Sequence, residues 1–470
     1  MDFKALCVIS NKNSMTMKNK IETINPYNQE PLQTYNYHSK NEIDDILKQA
    51  DSAFEDWRNI KIKERLKLLE NLANLMEDNK EKYAKLMTAE MGKPISQSIA
   101  EIEKCVWLCD FYITNAEGFL ADSIIETDAH ESFISYDPLG AVLAVMPWNY
   151  PFWQVMRFAI PSLTAGNVGL LKHASSVSGT AIAIQELFEE AGYPKGCFQT
   201  LLIGHELIED IIARDTIKAV TLTGSEAAGK SVAAIAGKNL KKTVLELGGN
   251  NACVVFDDAN LDEHLETMVK ARMQNTGQSC IAAKRFIVSE GIYDEFLECF
   301  TRSVLELNSG NPEDNDVFMG VMAREDLAEE LEEQVNQSVK MGAKIITGNK
   351  RHKAYFEPTI VAEVTTDMPV FKEETFGPVA AIIKAKNNEE AIALAANSRF
   401  GLGTMIFTEN IDSAYKEIGN IPDGALFVND MVKSDPRLPF GGTKASGYGR
   451  ELSKEGIMEF VNVKTVYIKK

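Results

Sequence analysis

Residues Ala141-Val-Leu-Ala-Val-Met146 form an unbroken apolar run just after Asp137-Pro138. Such a run is typical of a strand that is buried on both faces of a sheet. Downstream to residue 247, strand and helix patterns alternate, which predicts a parallel sheet covered by helices. The further strands are expected at residues 168–171, 198–203, 217–222 and 243–247, and the helices at 181–191 and 227–236.

The N-terminal quarter is predicted to be mainly helical. Ser39 and Glu42 form a capping-box signature, and a helical pattern over residues 66–91 stops at Gly92-Lys93-Pro94. A second α/β series follows residue 247, and its first predicted strand is followed by a helix capped by Asn260. Its strands are expected at residues 252–256, 286–288, 344–347, 379–383 and 425–428.

The last ten residues before the C-terminal lysines, 459–468, alternate between apolar and polar side chains as a strand does. We expect this strand to pair with residues 131–136 in a protruding sheet. Residues 1–20 mix polar and basic groups and are predicted to be a disordered lead-in, with Met15 or Met17 as an alternative start.

The composition excludes several classes of function. The 470 residues include 49 Lys plus Arg and 68 Asp plus Glu, for a net charge of −19. An acidic surface repels nucleic acid and anionic membranes, so neither is an expected partner. Seven scattered cysteines without a signal-like segment predict a reduced, cytoplasmic protein. No metal is expected, because Cys105 and Cys109 lack a neighbouring Cys/His pair that would complete a zinc site.

The stretch Gly224-Ser-Glu-Ala-Ala-Gly-Lys-Ser231 matches the P-loop pattern and stands between a predicted strand and a predicted helix. Glu226 would add negative charge inside such a loop, and only two glycines shape it. A helix N-terminus can equally bind the pyrophosphate of a dinucleotide. We therefore rank dinucleotide binding first, a simple turn second and an NTPase third, although a G-x-G-x-x-G fingerprint is absent.

Two side chains stand where covalent catalysis could occur. Cys280 ends the small-residue turn Asn275-Thr-Gly-Gln-Ser-Cys280, and Glu246 lies at the end of an apolar run in Leu245-Glu-Leu-Gly-Gly249. A soft nucleophile and a carboxylate base on separate supports indicate a covalent mechanism. None of the six histidines has a nucleophile–base context, which disfavours a cysteine protease.

Taken together, seven segments resemble the aldehyde dehydrogenase superfamily, in the family's order and approximate spacing, and the resemblance covers roughly residues 20–470. They are Met146-Pro-Trp-Asn-Tyr-Pro151, Leu171-Lys-His173, Leu222-Thr-Gly-Ser225, Leu245-Glu-Leu-Gly-Gly249, Gly277-Gln-Ser-Cys280, Glu373-Glu-Thr-Phe-Gly-Pro378 and Pro439-Phe-Gly-Gly442. Three more are most similar to the bacterial succinate-semialdehyde dehydrogenases: Pro151-Phe-Trp-Gln-Val-Met-Arg157, Gln278-Ser-Cys-Ile-Ala-Ala-Lys-Arg285 and Lys433-Ser-Asp-Pro-Arg437.

The resemblance implies an α/β fold in three parts. A Rossmann-like cofactor domain would comprise residues 21–115 and 137–247, an α/β catalytic domain residues 248–440, and a small β oligomerisation arm residues 116–136 and 441–470. A homodimer or homotetramer is expected, because an exposed edge strand such as the C-terminal one invites pairing.

The resemblance also assigns catalytic roles. Cys280 would attack the aldehyde carbon to form a thiohemiacetal, while the Asn149 side-chain amide and the Cys280 backbone N–H donate to the developing oxyanion. Hydride transfer to the nicotinamide leaves a thioester, and Glu246 would deprotonate the water that hydrolyses it.

Cofactor choice depends on Ser175 in this interpretation. NAD-selective relatives often place a glutamate there that binds the ribose hydroxyls, whereas a hydroxyl does not repel a 2′-phosphate. We therefore expect NADP to be accepted, and favour it over NAD. The implied cofactor residues are Trp148, Lys172, Ser175, Gly224, Ser225, Glu374 and Phe376.

The implied reaction is NAD(P)-dependent oxidation of succinate semialdehyde to succinate, with another small aldehyde as the alternative substrate. Arg157 is expected to pair with the distal carboxylate, and a structural salt bridge is its alternative role. Ser279 and Ser434 would add hydrogen bonds, and Trp153 would line the channel. Ala282 stands where some relatives carry a second cysteine, so no disulfide switch is expected.

Overall fold

The computed structural model describes residues 20–470, so the predicted lead-in lies outside the described residues except for Lys20. Its six-stranded sheet has Ala141–Met146 in the middle, between Ile217–Thr223 and Val168–His173. Five of the six side chains of Ala141–Met146 are buried, which explains its continuous apolar sequence. The strand order is Gly447–Tyr448, Lys242–Glu246, Ile217–Thr223, Ala141–Met146, Val168–His173 and Phe198–Thr200, parallel except for the first pair.

Helices cover this sheet and form the N-terminal part of the chain. The predicted capping box is present, because Ser39 and Glu42 exchange side-chain and backbone hydrogen bonds. The single helix predicted over residues 66–91 is divided at Asn79, which leaves the helical backbone angles, and it ends at Gly92 with φ 75°. The helices are Lys40–Trp57, Ile62–Asp78, Lys80–Met91, Ile95–Phe119, Trp153–Ala165, Ser178–Glu190, Ile208–Ala213, Glu226–Lys238 and Ser453–Met458.

A seven-stranded sheet with its helices forms the second α/β part of the chain. Its edge strand Lys344–Thr347 is antiparallel, and the remaining strands are parallel. The strand order is Lys344–Thr347, Thr359–Ala362, Val379–Ala385, Arg285–Ser289, Ala252–Val255, Thr404–Phe407 and Leu426–Val428. Its helices are Leu261–Met273, Tyr293–Leu305, Glu325–Lys340, Pro369–Lys372, Asn388–Ala396 and Ile411–Glu417. The predicted α/β class is confirmed.

The predicted pairing of the C-terminal strand forms: Val461–Ile468 pairs antiparallel with Glu131–Pro138, which also pairs with Ser123–Ile124 in a three-stranded sheet. Within residues 20–470, no helix has the length and apolar character needed to cross a bilayer. The smaller elements are the strand pairs Lys20–Ile24 with Pro31–Asn36, Arg351–His352 with Tyr355–Phe356, and Phe400–Gly401 with Thr443–Lys444, and the 3-10 turns Ser175–Val177, His205–Leu207, Gln274–Gly277, Glu290–Ile292 and Ile418–Asn420.

The carboxyl ends of the parallel strands in the six-stranded sheet position most of the predicted cofactor and catalytic residues. Asn149 follows Ala141–Met146, Ser175 follows Val168–His173, and Ser225 follows Ile217–Thr223. Glu246 is the last residue of Lys242–Glu246. Ligands of open parallel sheets bind at this edge, so the fold brings these residues to the expected place.

Candidate active site

The turn that carries Cys280 has a constrained backbone. Asn275 and Thr276 have φ values of 55° and 53°, in the left-handed region that non-glycine residues rarely adopt, and both are fully buried. Gly277 continues the turn at φ 69°, where an added Cβ would meet the Gly377 carbonyl oxygen at 2.4 Å. Such residues cost about 1–3 kcal/mol each and persist only where their surroundings hold them. The turn therefore fixes the position of the thiol.

The Cys280 thiol is half-buried, and burial raises its pKa to about 11. Lys284 and Arg157 act in the opposite direction, because their positive charges lower the pKa of this thiol. The Lys284 ammonium donates to the carbonyl oxygens of Ser279 and Cys280, each at 2.8 Å. Lys284 was not predicted as a site residue, although a lysine beside a nucleophile in the sequence is a usable signal.

Asn149 lies against the same turn. Its Nδ2 donates to the Gln278 carbonyl oxygen at 2.9 Å, and its Oδ1 accepts from Gln154 Nε2 at 3.0 Å. The Asn275 amide in turn donates to the Asn149 carbonyl oxygen at 2.9 Å. The structure thus brings Asn149 against the turn that carries Cys280, far from it in the chain, with the amide nitrogen of Asn149 facing the turn.

Glu246 is 2% exposed, and neither carboxylate oxygen has a hydrogen-bond partner among the described residues. Burial, and then the neighbouring Glu451, raise its pKa well above the usual value, while Arg157 and Arg450 oppose this shift. A Cβ added at Gly441 would lie 2.7 Å from Glu246 Oε1, so the motif glycine leaves room for the carboxylate. A buried carboxyl group with no partner and a raised pKa is a candidate general base.

A cavity of about 320 Å³ opens beside Cys280. All four predicted substrate residues line it: Trp153, Arg157, Ser279 and Ser434. Trp153 Nε1 donates to Ser434 Oγ at 3.0 Å.

Lys104 also lines this cavity and was not predicted. Its ammonium donates to Ser434 Oγ at 2.7 Å. A sequence signal existed, since Lys104 lies among Glu101, Cys105 and Leu108, which are spaced on the buried face of helix Ile95–Phe119. A lysine on a buried helix face is unusual and indicates a polar site.

Arg157 forms an ion pair with Glu451, and both side chains are almost completely buried. Its guanidinium carbon also lies 4.5 Å from the ring centroid of Phe440. The salt bridge given above as the alternative role of Arg157 is therefore present. The guanidinium still reaches the cavity wall, but a large part of its charge is neutralised by Glu451.

The predicted nicotinamide-side residues lie next to the catalytic turn. The rings of Trp148 and Phe376 meet edge to face at 5.8 Å. Glu374 Oε1 accepts from the Gly249 backbone N–H at 3.0 Å and lies 3.2 Å from the Lys284 ammonium. The partly exposed Glu374 is thus linked through Lys284 to the backbone of the Cys280 turn.

The predicted phosphate and adenosine side has open groups of suitable chemistry. Ser225 caps helix Glu226–Lys238, whose N-terminus can bind a phosphate. Lys172 is half-buried and Ser175 is exposed at the end of Val168–His173. His173 holds the neighbouring loop through contacts with the carbonyl oxygens of Met146 and Pro151, at 3.2 and 3.0 Å. These residues fit a dinucleotide.

The P-loop alternative fits less well. Lys230, which would have to reach phosphates, lies 2.6 Å from Glu226, and Arg399 also pairs with that carboxylate. The lysine charge is therefore already matched by a neighbouring carboxylate. No group of three or more His, Cys, Asp or Glu side chains in residues 20–470 is arranged to hold a metal ion.

Comparison with known proteins agrees with this geometry. The chain is 48% identical over 451 residues to a Synechocystis sp. protein named probable succinate-semialdehyde dehydrogenase (NADP+), covering 95% of this chain and 99% of the relative. It is 43% identical over 454 residues to succinate-semialdehyde dehydrogenase (NADP+) 1 of Mycobacterium tuberculosis, with the same coverage. The crystal structure of succinic semialdehyde dehydrogenase from Streptococcus pyogenes with NADP+ superposes with a TM-score of 0.93 at 37% identity, covering 96% of this chain and 100% of that chain. The profile of the aldehyde dehydrogenase family matches residues 13–466, and the chain belongs to this family.

Proposed function

We propose that this aldehyde dehydrogenase oxidises succinate semialdehyde to succinate and uses NADP in preference to NAD. The observation that carries the proposal is the cavity beside Cys280, whose wall combines the Lys104 ammonium, which forms no ion pair among the described residues, with the hydroxyl of Ser434. A cationic and hydroxyl-bearing wall suits an aldehyde with a distal carboxylate better than an apolar aldehyde. The names of the relatives from Synechocystis and Mycobacterium support the same substrate and cofactor.

In the proposed reaction, the Cys280 thiolate attacks the aldehyde carbon and the carbonyl oxygen becomes an alkoxide. Asn149 donates a hydrogen bond to that oxygen, which in comparable sites contributes roughly 10²–10³ in rate. The bound NADP would accept a hydride from the thiohemiacetal on Cys280. Loss of this hydride turns the thiohemiacetal into a thioester. Glu246 then takes a proton from the attacking water, and hydrolysis releases succinate and the Cys280 thiolate.

The cofactor would extend along the carboxyl edge of the six-stranded sheet. Lys172 would contact the adenosine ribose, and Ser225 with Gly224 would receive the pyrophosphate at the helix N-terminus. Glu374 would bind the nicotinamide ribose in place of one of its present contacts. The exposed Ser175 leaves room for a 2′-phosphate without repelling it, which supports the preference for NADP.

The assembly proposed for this chain is a homodimer or homotetramer that uses the three-stranded sheet containing the C-terminal strand. The sheet presents exposed apolar side chains, among them Ile124, Val463 and Tyr467. Covering such side chains with a second copy would remove apolar surface from water. The proposed location is the cytoplasm.

A substrate panel tests the proposal. Initial rates with succinate semialdehyde and butanal are measured with NADP and with NAD, by the absorbance of the reduced cofactor, and the Cys280→Ala variant is the control. We expect the highest kcat/KM for succinate semialdehyde with NADP, and no turnover by the variant. Equal kcat/KM values for the two aldehydes would contradict the proposed substrate, and undiminished turnover by Cys280→Ala would contradict the covalent mechanism.

A further inference from the structure

We infer that Lys104 binds the distal carboxylate of the substrate and is the main determinant of specificity for it. The inference rests on the proposed oxidation of an aldehyde that bears a carboxylate. Lys104 and Cys280 line the same cavity, as do Trp153 and Ser434. The Lys104 ammonium contacts both of the latter: it donates to Ser434 Oγ at 2.7 Å and lies 4.2 Å from the Trp153 ring centroid.

The charges on the cavity wall distinguish Lys104 from the other cations there. Arg157 is paired with the buried Glu451, and Lys433 is paired with Asp430. Lys270 is exposed at the cavity rim, where solvent screens its charge. Among residues 20–470, no carboxylate forms an ion pair with Lys104, whose hydrogen-bond partner is the neutral Ser434 hydroxyl. A half-buried ammonium without a counter-ion is therefore available to a carboxylate that enters the cavity.

The surroundings of Lys104 make its charge sensitive to pH. Burial, and then the positive charge of Arg157, lower the pKa of Lys104 to about 8, while Cys105, Glu101 and Asp435 act in the opposite direction. A substrate carboxylate beside the ammonium would favour the protonated form. Recognition of the carboxylate should therefore weaken as the pH rises above about 8.

The test compares two aldehydes of similar length in each enzyme, succinate semialdehyde and butanal. The ratio of their kcat/KM values does not depend on the fraction of active enzyme, so partial misfolding of a variant does not affect it. Losing a hydrogen bond to a charged group corresponds to roughly 10- to 100-fold. We expect Lys104→Met to lower the ratio by about this factor, and Lys104→Arg to retain most of it. The matched control Lys270→Met, which removes a solvated charge at the rim, should leave the ratio within about twofold.

The pH profile gives an independent readout. In the unaltered enzyme the ratio should fall above pH about 8, because Lys104 loses its proton while the catalytic groups are common to both aldehydes. In Lys104→Arg the ratio of the two kcat/KM values should not change with pH, since a guanidinium stays charged.

The outcomes separate this inference from the proposed function. If the unaltered enzyme shows no preference for succinate semialdehyde over butanal, the proposed substrate is wrong. If it shows the preference and Lys104→Met keeps it, or if Lys270→Met reduces it equally, the assignment to Lys104 alone is overturned.

Discussion

The buried ion pair of Arg157 and Glu451 allows its structural role to be separated from a role in substrate binding. The two side chains are 3% and 5% exposed, and Glu451 raises the pKa of the neighbouring Glu246. The Arg157→Met variant leaves a buried carboxylate without its counter-ion. Removing one partner of a buried ion pair costs about 3–5 kcal/mol, so we expect the free energy of unfolding to fall by that amount.

The assay is a double-mutant cycle with Arg157→Met, Glu451→Gln and the combined variant, each unfolded in urea. The combined variant should be more stable than the sum of the single losses predicts, by about 2 kcal/mol or more, because it contains no buried charge without a counter-ion. A buried unpaired carboxyl group has a raised pKa in the folded state. The stability deficit of Arg157→Met should therefore grow as the pH rises above about 4.3, the ordinary pKa of a glutamate.

The Arg157→Met substitution should also affect catalysis. Arg157→Met should lower kcat/KM for succinate semialdehyde and butanal together, because the pair adjoins Glu246 and Arg157 lowers the pKa of Cys280. Strictly additive stability losses in the cycle would refute the reasoning from the ion pair. A selective loss on succinate semialdehyde would instead identify Arg157 as the cation that binds the carboxylate.

Three further predictions concern residues around the site. Lys284→Met should raise the pKa of the Cys280 thiol, because a nearby positive charge is lost, so iodoacetamide should alkylate the thiol more slowly at pH about 8 than in the unaltered enzyme; equal rates would contradict this. Ser175→Glu should lower kcat/KM for NADP relative to NAD by about tenfold or more, since a carboxylate would repel the 2′-phosphate; an unchanged ratio would show that the phosphate lies elsewhere. Burial lowers the pKa of His173 from 6.5 to about 4, so the folded state resists its protonation and loses up to about 3 kcal/mol of stability as the pH falls from 6.5 towards 4. Urea unfolding at several pH values should show a correspondingly smaller loss in His173→Asn, and parallel curves would rule out His173 as the cause.

Much of the fold could be predicted because its strands are buried on both faces and read as continuous apolar runs. Ala141–Met146 is an example. The strand Val461–Ile468 is mostly exposed and was instead predicted from its alternation of apolar and polar side chains. The strand Gly447–Tyr448 was not predicted, because two residues carry no measurable periodicity. The break at Asn79 was also missed, since the apolar spacing continues across it.

The site was predicted less completely, because its charged side chains contact residues that lie far away in the sequence. Cys280, Glu246 and Asn149 stand in local motifs that could be recognised. Lys104 meets Ser434 across 330 positions, and no local pattern indicates that contact. Arg157 was a candidate from its local sequence, but its partner Glu451 could be found only from the three-dimensional structure.

The central claim is that succinate semialdehyde is oxidised, with NADP as the hydride acceptor, through a thioester on Cys280. The most direct measurement is mass spectrometry of Glu246→Gln after mixing with succinate semialdehyde and NADP, because loss of the base should slow hydrolysis and let the thioester accumulate. We predict one succinyl group on the peptide that contains Cys280, removable with hydroxylamine. NADPH formation without an adduct in that variant, or a succinyl group on another residue, would contradict the account.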